Sequence, residues 1–191
     1  MAKRILGVLL FKSATYGELA KDPAATGQAA IIVAFSLLVA GFFNGFIIKD
    51  SPSSAVRSSL SLGLAEAAAT IIVGFIAWII VAWILALIVK LLKGRTNTGE
   101  MLRITGYVEI FGIFAFLTIL ALASPSLAGV VEIVALVTGF LALLGLIIGI
   151  VEVSGLSTGK AFCASLITEL ITLGLTLASL SFIFRILKIG G

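Results

Sequence analysis

Histidine is absent from the 191-residue sequence, and both cysteine and charged side chains are scarce. The absence of histidine removes the commonest general acid–base group and the commonest metal ligand. The single cysteine, Cys163, cannot form an intrachain disulfide and is expected to behave as a small hydrophobe. Only 12% of the residues are charged, whereas 61% are hydrophobic. Because a soluble domain has about 25% charged residues, the composition indicates that lipid surrounds this chain.

Long apolar runs account for most of the sequence. A helix needs about 20 mostly apolar residues to cross a bilayer, and five runs meet that requirement. They cover residues 29–48, 63–89, 104–123, 127–151 and 161–187. The sequence therefore predicts an all-α integral membrane bundle of five transmembrane helices over residues 29–191. Residues 1–28 are expected to form a cytoplasmic or interfacial segment with a short helix at the membrane surface.

The basic residues are distributed unevenly over the connectors between these runs. Nine lysines and arginines lie in the N-terminal segment and in the second and fourth connectors, against four on the opposite side. Cytoplasmic loops carry an excess of lysine and arginine. The distribution therefore predicts a cytoplasmic N-terminus and an outside C-terminus. Since topology accounts for the net charge of +4, no nucleic-acid partner is expected.

Small residues recur at helical spacing on several of the predicted spans. Steps of three and four place them on one face of each helix, where small side chains allow neighbouring backbones to approach closely. The alternative is that these faces line a path for a substrate. The glycines predicted to lie at helix contacts are Gly41, Gly45, Gly74, Gly139, Gly145 and Gly149.

Four glutamates lie inside the predicted spans, Glu66 and Glu132 near the outer ends and Glu109 and Glu169 deeper. Glu109 and Glu169 are expected at a similar depth, and Thr172 follows Glu169 at helical spacing. A charged residue at a helix centre costs about 2.5–3.5 kcal/mol, so an intramembrane acid is a candidate proton or cation site. The alternative is that each carboxyl is neutral and hydrogen-bonded, or is paired with Arg103 or Lys160 at the interface.

Motifs that carry enzymatic chemistry are missing from the sequence. There is no CxxC pair, no nucleotide-binding glycine loop and no nucleophile elbow. Residues 155–161 (GLSTGKA) superficially resemble a phosphate loop, but the preceding strand and the glycine spacing are absent. Because nothing pairs a nucleophile with a base, we expect a non-enzymatic protein with no catalytic residue, no cofactor and no metal.

Three polar stretches resemble those of the Yip family of membrane proteins. Residues 93–107 (KGRTNTGEMLRITGY) are similar to a cytoplasmic loop of that family, which leads into a Gly-Tyr pair at the start of the third span. Residues 155–161 resemble the turn between its last two spans, and residues 21–23 (KDP) fit its N-terminal region. Val108 and Glu109 follow the Gly-Tyr pair where the family often has a proline, so a kink there is not implied.

The resemblance implies the five-span topology more than it implies a mechanism. Eukaryotic relatives are associated with Rab-type GTPases and vesicle traffic, and carry a long cytoplasmic N-terminal region that this chain lacks. We therefore expect a protein of a prokaryotic plasma membrane. Its expected role is that of a scaffold or accessory subunit, with the lipid bilayer and other membrane proteins or itself as partners. The alternative is a small ion-coupled transporter or permease that uses the intramembrane glutamates.

Overall fold

Helices make up nearly all of the computed structural model, which describes residues 1–49, 56–58, 60–119 and 124–189. Side chains are described except at 44–49, 56–58, 62, 115, 118–119, 125, 128, 173 and 175–189. The α-helices in these residues are α1 (Ala2–Leu9), α2 (Ser13–Lys21), α3 (Ala25–Phe46), α4 (Leu60–Leu91), α5 (Thr98–Val108), α6 (Ala128–Ser154) and α7 (Thr158–Ile189). Two stretches are 3-10 helices, Glu109–Ile119 and Pro125–Leu127.

A two-stranded hairpin interrupts the helical order after α3. Strand β1 (Ile47–Lys49) pairs antiparallel with β2 (Val56–Ser58), and Ile48 lies opposite Arg57. The sequence predicts a polar loop from Lys49 onward. The β-branched residues at 47, 48 and 56 favour extended backbone, which accounts for the short ladder. Apart from this hairpin, the predicted all-α class is confirmed for the described residues.

Three of the described helices are long and apolar enough to cross a membrane. The qualifying stretches are Ala25–Phe43, Gly63–Leu91 and Gly129–Ser154, in α3, α4 and α6. Large apolar side chains on two of them point away from the rest of the protein. Such exposed residues include Ile72, Val73, Ile76 and Ile79 on α4, and Ile133, Leu136, Val137 and Phe140 on α6. Soluble proteins rarely expose contiguous apolar surface of this extent, so these faces fit contact with lipid.

Helices α3 and α4 are in close contact at two glycines. A methyl group placed on Gly41 would lie 2.9 Å from the Ala67 Cα and 2.7 Å from the Thr70 side chain. One placed on Gly74 would lie 2.5 Å from Leu37. The two backbones therefore approach at positions where glycine removes the side chain, as membrane helices commonly do.

The N-terminal segment forms two helices where one short helix is predicted. The turn between α1 and α2 passes through Phe11, whose φ is +54°, and the Phe11 ring stacks on Phe111 at a centroid distance of 5.8 Å. Tyr16 of α2 is fully buried. A methyl group on Gly149 of α6 would lie 3.0 Å from the Tyr16 ring. The segment therefore packs into the bundle between α6 and the 3-10 helix.

The predicted third span is only partly α-helical. It was expected to run from 104 to 123, whereas α5 begins at Thr98 and gives way to the 3-10 helix Glu109–Ile119. The earlier start has a local cause, because Asn97 caps α5 and its side chain accepts a hydrogen bond from the Glu100 N–H at 3.0 Å. Residues 120–123, the end of the predicted span, lie outside the described residues.

Candidate functional site

Two polar connectors that are far apart in sequence meet at one end of the bundle. The Arg95 N–H donates to the Ser154 carbonyl at 3.0 Å. Gly94 fits between Val89, Leu156 and Ser154, because a methyl group there would lie within 3.1 Å of each. After Ser154, Gly155 ends α6 in the left-handed region with a φ of +69°, which glycine adopts without strain. The connectors 92–97 and 155–157 thus form one packed surface.

Side-chain hydrogen bonds fix the first of these connectors. The Glu100 carboxylate accepts from the Asn97 N–H at 3.0 Å and from the Thr96 hydroxyl at 2.9 Å. With the reciprocal bond from Glu100 N–H to Asn97, this is a complete capping box. Lys160 on α7 extends across to donate to the Leu92 carbonyl at 3.4 Å. The polar residues of this connector therefore fix the N-terminus of α5.

Arg103 ties the N-terminal segment to α5. Its guanidinium donates to the Ala20 carbonyl and, at 3.3 Å, to the Thr26 hydroxyl. The side chain is buried, and its Nε has no hydrogen-bond partner among the described residues. Hydrogen bonds from a charged donor are stronger than neutral ones. Arg103 is therefore the main polar link between residues 1–28 and the bundle.

Arg4 organises a second polar group beside Arg103. It pairs with Asp22 at 2.7 Å and with Glu18 at 2.9 Å, and donates to the Gln28 side chain at 3.3 Å. The Tyr107 hydroxyl also donates to Gln28. Asp22 and, to a smaller extent, Glu18 raise the pKa of Arg4 above its usual value. The bond from Arg4, with one from the Ala24 N–H, holds the pKa of Asp22 below its usual value.

We call this assembly the polar cap and define it as residues 1–28, 92–107 and 152–160. Apart from residue 161, the three stretches that resemble the Yip family all lie in it, although no sequence pattern indicates direct contacts between them. Two sequence features indicate parts of the polar cap: the Asn97–Glu100 spacing of a capping box and the Gly106–Tyr107 pair. The contacts of Arg103 with Ala20 and Thr26 join residues 77 and 83 positions apart, which no local pattern reveals.

The glycines predicted to lie at helix contacts do not all have the same surroundings. Gly41 and Gly74 lie at the α3–α4 contact, and Gly145 and Gly149 of α6 lie against Tyr16. Gly139 differs from these four, because a methyl group there would meet nothing within 4 Å and the residue borders a cavity. Gly45 belongs to α3, but its surroundings lie outside the described residues.

Glu109 begins the 3-10 helix Glu109–Ile119, and Glu169 lies on α7. The Thr172 hydroxyl donates to the Thr168 carbonyl of its own helix at 2.9 Å, and this hydrogen bond does not involve a carboxyl group. The interfacial pairing considered for Arg103 and Lys160 is absent among the described residues, since Arg103 bonds the N-terminal segment and Lys160 bonds Leu92. Glu109 instead lines a cavity of about 370 Å³ between α3, the 3-10 helix and α6.

Residues 6–180 match the sequence profile of the Yip1 domain. The match begins within α1 and ends within α7, so it includes the polar cap except for residues 1–5, together with most of the helices. The chain belongs to the Yip1 domain family. No curated protein and no solved structure matches it.

Membership of the Yip1 domain family agrees with the apolar helices, and together they show a multi-pass integral membrane protein. The family match also makes the N-terminal helices part of the Yip1 domain, since all but the first residues of α1 fall within it. Among the described residues, no three acidic, cysteine or histidine side chains are grouped so as to hold a metal ion.

Proposed function

We propose that this Yip1 domain protein is a non-enzymatic scaffold or accessory subunit of a membrane complex, and that its polar cap faces the cytoplasm as the docking surface. The proposal is carried by one observation: some basic residues of the cap are used in internal bonds, whereas the others are exposed. Arg4 and Arg103 are used in internal bonds. The exposed basic side chains of the cap are Lys3, Lys12, Lys21, Lys93, Arg95 and Lys160.

Five membrane crossings, with the N-terminus cytoplasmic and the C-terminus outside, are part of the proposal. Three crossings correspond to α3, α4 and α6. For the third, α5 and the 3-10 helix each have 11 residues. At about 1.5 and 2.0 Å per residue they extend about 38 Å together, which exceeds a hydrocarbon core of about 30 Å. For the fifth, α7 has 32 residues and is about 48 Å long.

The same topology explains why the cap assembles at one end. The N-terminal segment and the second and fourth connectors carry most of the lysine and arginine, and these are the segments that contact one another. An excess of basic residues belongs on the cytoplasmic side. We propose that residues 1–28 are a cytoplasmic or interfacial segment held on the membrane domain 29–191 by Arg103.

The host membrane in this proposal is a prokaryotic plasma membrane. The partners are the lipid bilayer and other membrane proteins or further copies of this chain, and no nucleic acid is involved. The exposed lysines of the cap support contact with anionic lipid headgroups or acidic protein surfaces, because each near-surface basic residue contributes about 1 kcal/mol on an anionic membrane.

Purification from native membranes in a gentle detergent tests this role, with native-gel sizing and mass spectrometry of the co-purifying chains. The cap variant Lys93→Glu with Arg95→Glu is compared with Glu132→Gln, an exposed change far from the cap. We expect a stoichiometric assembly that the cap variant loses and Glu132→Gln retains. A lone monomer, or an assembly that the cap variant leaves intact, would contradict the scaffold role.

A small ion-coupled transporter is the second candidate, and the cavity beside Glu109 is the observation that favours it. Its test is ion flux in reconstituted vesicles that contain the wild-type protein or the variants Glu109→Gln and Glu169→Gln. Coupled transport predicts a flux that both substitutions abolish. Folded variants that behave like the wild-type protein would exclude it.

A further inference from the structure

The cavity beside Glu109 lies at mid-length of the helices that enclose it. Ser36 stands near the middle of the apolar stretch Ala25–Phe43, and Ala142 near the middle of Gly129–Ser154, and both line the cavity. The other lining residues are mostly aliphatic and aromatic side chains of α3, the 3-10 helix and α6. A polar group here is therefore remote from both membrane surfaces.

Two polar side chains approach each other in this cavity. A methyl group placed on Gly112 would lie 2.3 Å from the Ser36 hydroxyl and 3.4 Å from a Glu109 carboxyl oxygen, so both groups border the space that Gly112 leaves open. Ser36 is only 3% exposed, so its hydroxyl faces this cavity from within the helix bundle. Thr138 also lines the cavity, but its hydroxyl donates to the Val134 and Ala135 carbonyls of its own helix.

No cation among the described residues neutralises Glu109. Arg103 is engaged in the polar cap, the Tyr107 hydroxyl donates to Gln28, and Lys12 at the α1–α2 turn makes no ion pair with it. Glu169 from α7 adds a like charge. An ionised carboxylate in apolar surroundings costs several kcal/mol unless it is paired. These surroundings therefore favour a carboxyl group that carries a proton.

We propose that Glu109 and Ser36 form a proton-binding site inside the membrane, accessible from the hydrocarbon through the cavity. The Glu109 carboxyl carries the proton, and the Ser36 hydroxyl on the other side of the space that Gly112 leaves open is the group that can accept its hydrogen bond. The ligand of the site is a proton, and an apolar reagent that reacts with protonated acids can reach the site from the hydrocarbon. This inference stands on the cavity alone and holds whether or not the polar cap docks a partner.

A hydrophobic carbodiimide tests the site on the wild-type protein in its membrane. The Glu109 oxygen bonds to the central carbon of the reagent and the carboxyl proton passes to a nitrogen, so the adduct has the summed mass and nothing leaves. We expect this adduct on the Glu109 peptide even at about pH 8, where an ordinary carboxyl is ionised. A water-soluble carbodiimide with an added amine should modify Glu132 or Glu152 and leave Glu109 unmodified.

Two variants sharpen the test. Gly139→Leu places a side chain into the cavity, since a methyl group at Gly139 meets nothing within 4 Å and the residue lines the cavity, and it should slow labelling several-fold. Glu132→Gln should leave labelling of Glu109 unchanged. The proposal is overturned if Glu109 stays unlabelled by the hydrophobic reagent, if the water-soluble reagent labels it equally fast, or if Gly139→Leu labels at the wild-type rate. The comparison of the two reagents needs no variant, so it stands even where a substitution prevents folding.

Discussion

At the scale of single residues, Arg103 holds the N-terminal segment on the bundle, and Asp22 holds α1 against the end of α2. Arg103 donates from α5 to Ala20 and Thr26, and Asp22 accepts from Arg4 at 2.7 Å. Neither contact follows from the sequence, which offered Arg103 only as a partner for an intramembrane carboxyl. A buried arginine can donate to backbone carbonyls as well as to carboxylates, so its partner depends on the tertiary fold.

Replacing Arg103 with methionine tests its contribution to stability. Arg103→Met keeps a long apolar stem but leaves the Ala20 carbonyl without its charged donor. Losing hydrogen bonds to a charged group should lower the free energy of unfolding in detergent by about 2 kcal/mol. Arg95→Met is the matched control, because Arg95 is exposed on the same polar cap and should change stability by less than about 0.5 kcal/mol. Equal effects of the two substitutions would contradict this role.

The Arg4–Asp22 pair predicts that the attachment of α1 to the end of α2 depends on pH. The pKa of Asp22 is lowered in the folded protein, so the folded state binds fewer protons than the detached one. The stabilisation is therefore fully present above the ordinary carboxyl pKa and is lost as the pH falls through the lowered pKa of folded Asp22. Arg4, Glu18 and Arg103 are the charged groups that act on Asp22 or share its partner.

A spin label at exposed Ala2 of α1, with Cys163 replaced by alanine, measures this attachment. The label should become more mobile as the medium is acidified. Asp22→Asn removes the titrating group, so its mobility should be higher near neutral pH and should change less with pH. A wild-type label whose mobility is the same at neutral and acidic pH would exclude the pair as a pH-dependent link.

At the scale of elements, the apolar helices are the part of the fold that the sequence predicts well. The predicted spans 29–48, 63–89 and 127–151 correspond to α3, α4 and α6 with ends shifted by a few residues, because helix length and hydrophobicity are encoded locally. The 3-10 helix and the two N-terminal helices were not predicted. Their conformations depend on contacts with other helices, such as Phe11 with Phe111.

Two glycines of α6 provide a matched test of element packing. A methyl group on Gly149 would lie 2.4 Å from Ile104 and 3.0 Å from Tyr16, so Gly149→Ala overpacks the contact of α6 with α5 and α2. We expect a loss of about 1–3 kcal/mol in the free energy of unfolding. Gly139→Ala adds the same methyl group to open space and should be nearly neutral. Equal destabilisation by the two substitutions would contradict the packing described here.

At the scale of the whole molecule, the chain consists of a polar cap at one end and an apolar helix bundle that faces lipid. The charge distribution of the sequence already assigns the N-terminal segment and two connectors to one side, and in the structure these segments contact one another. The closeness of Glu109 and Ser36 could not have been predicted, because it depends on the register between α3 and the 3-10 helix. The central claim is that the polar cap lies in the cytoplasm and that the chain crosses the membrane five times.

Cysteine accessibility in whole cells tests that claim most directly. Single cysteines replace Lys3, Arg95, Lys160 or Ser126 in a chain with Cys163 replaced by alanine, and an impermeant maleimide is applied before and after permeabilisation. The account predicts that position 126, in the connector before α6, is labelled in intact cells, and that the three cap positions are labelled only after permeabilisation. Labelling of any cap position in intact cells, or protection of position 126 there, would contradict it.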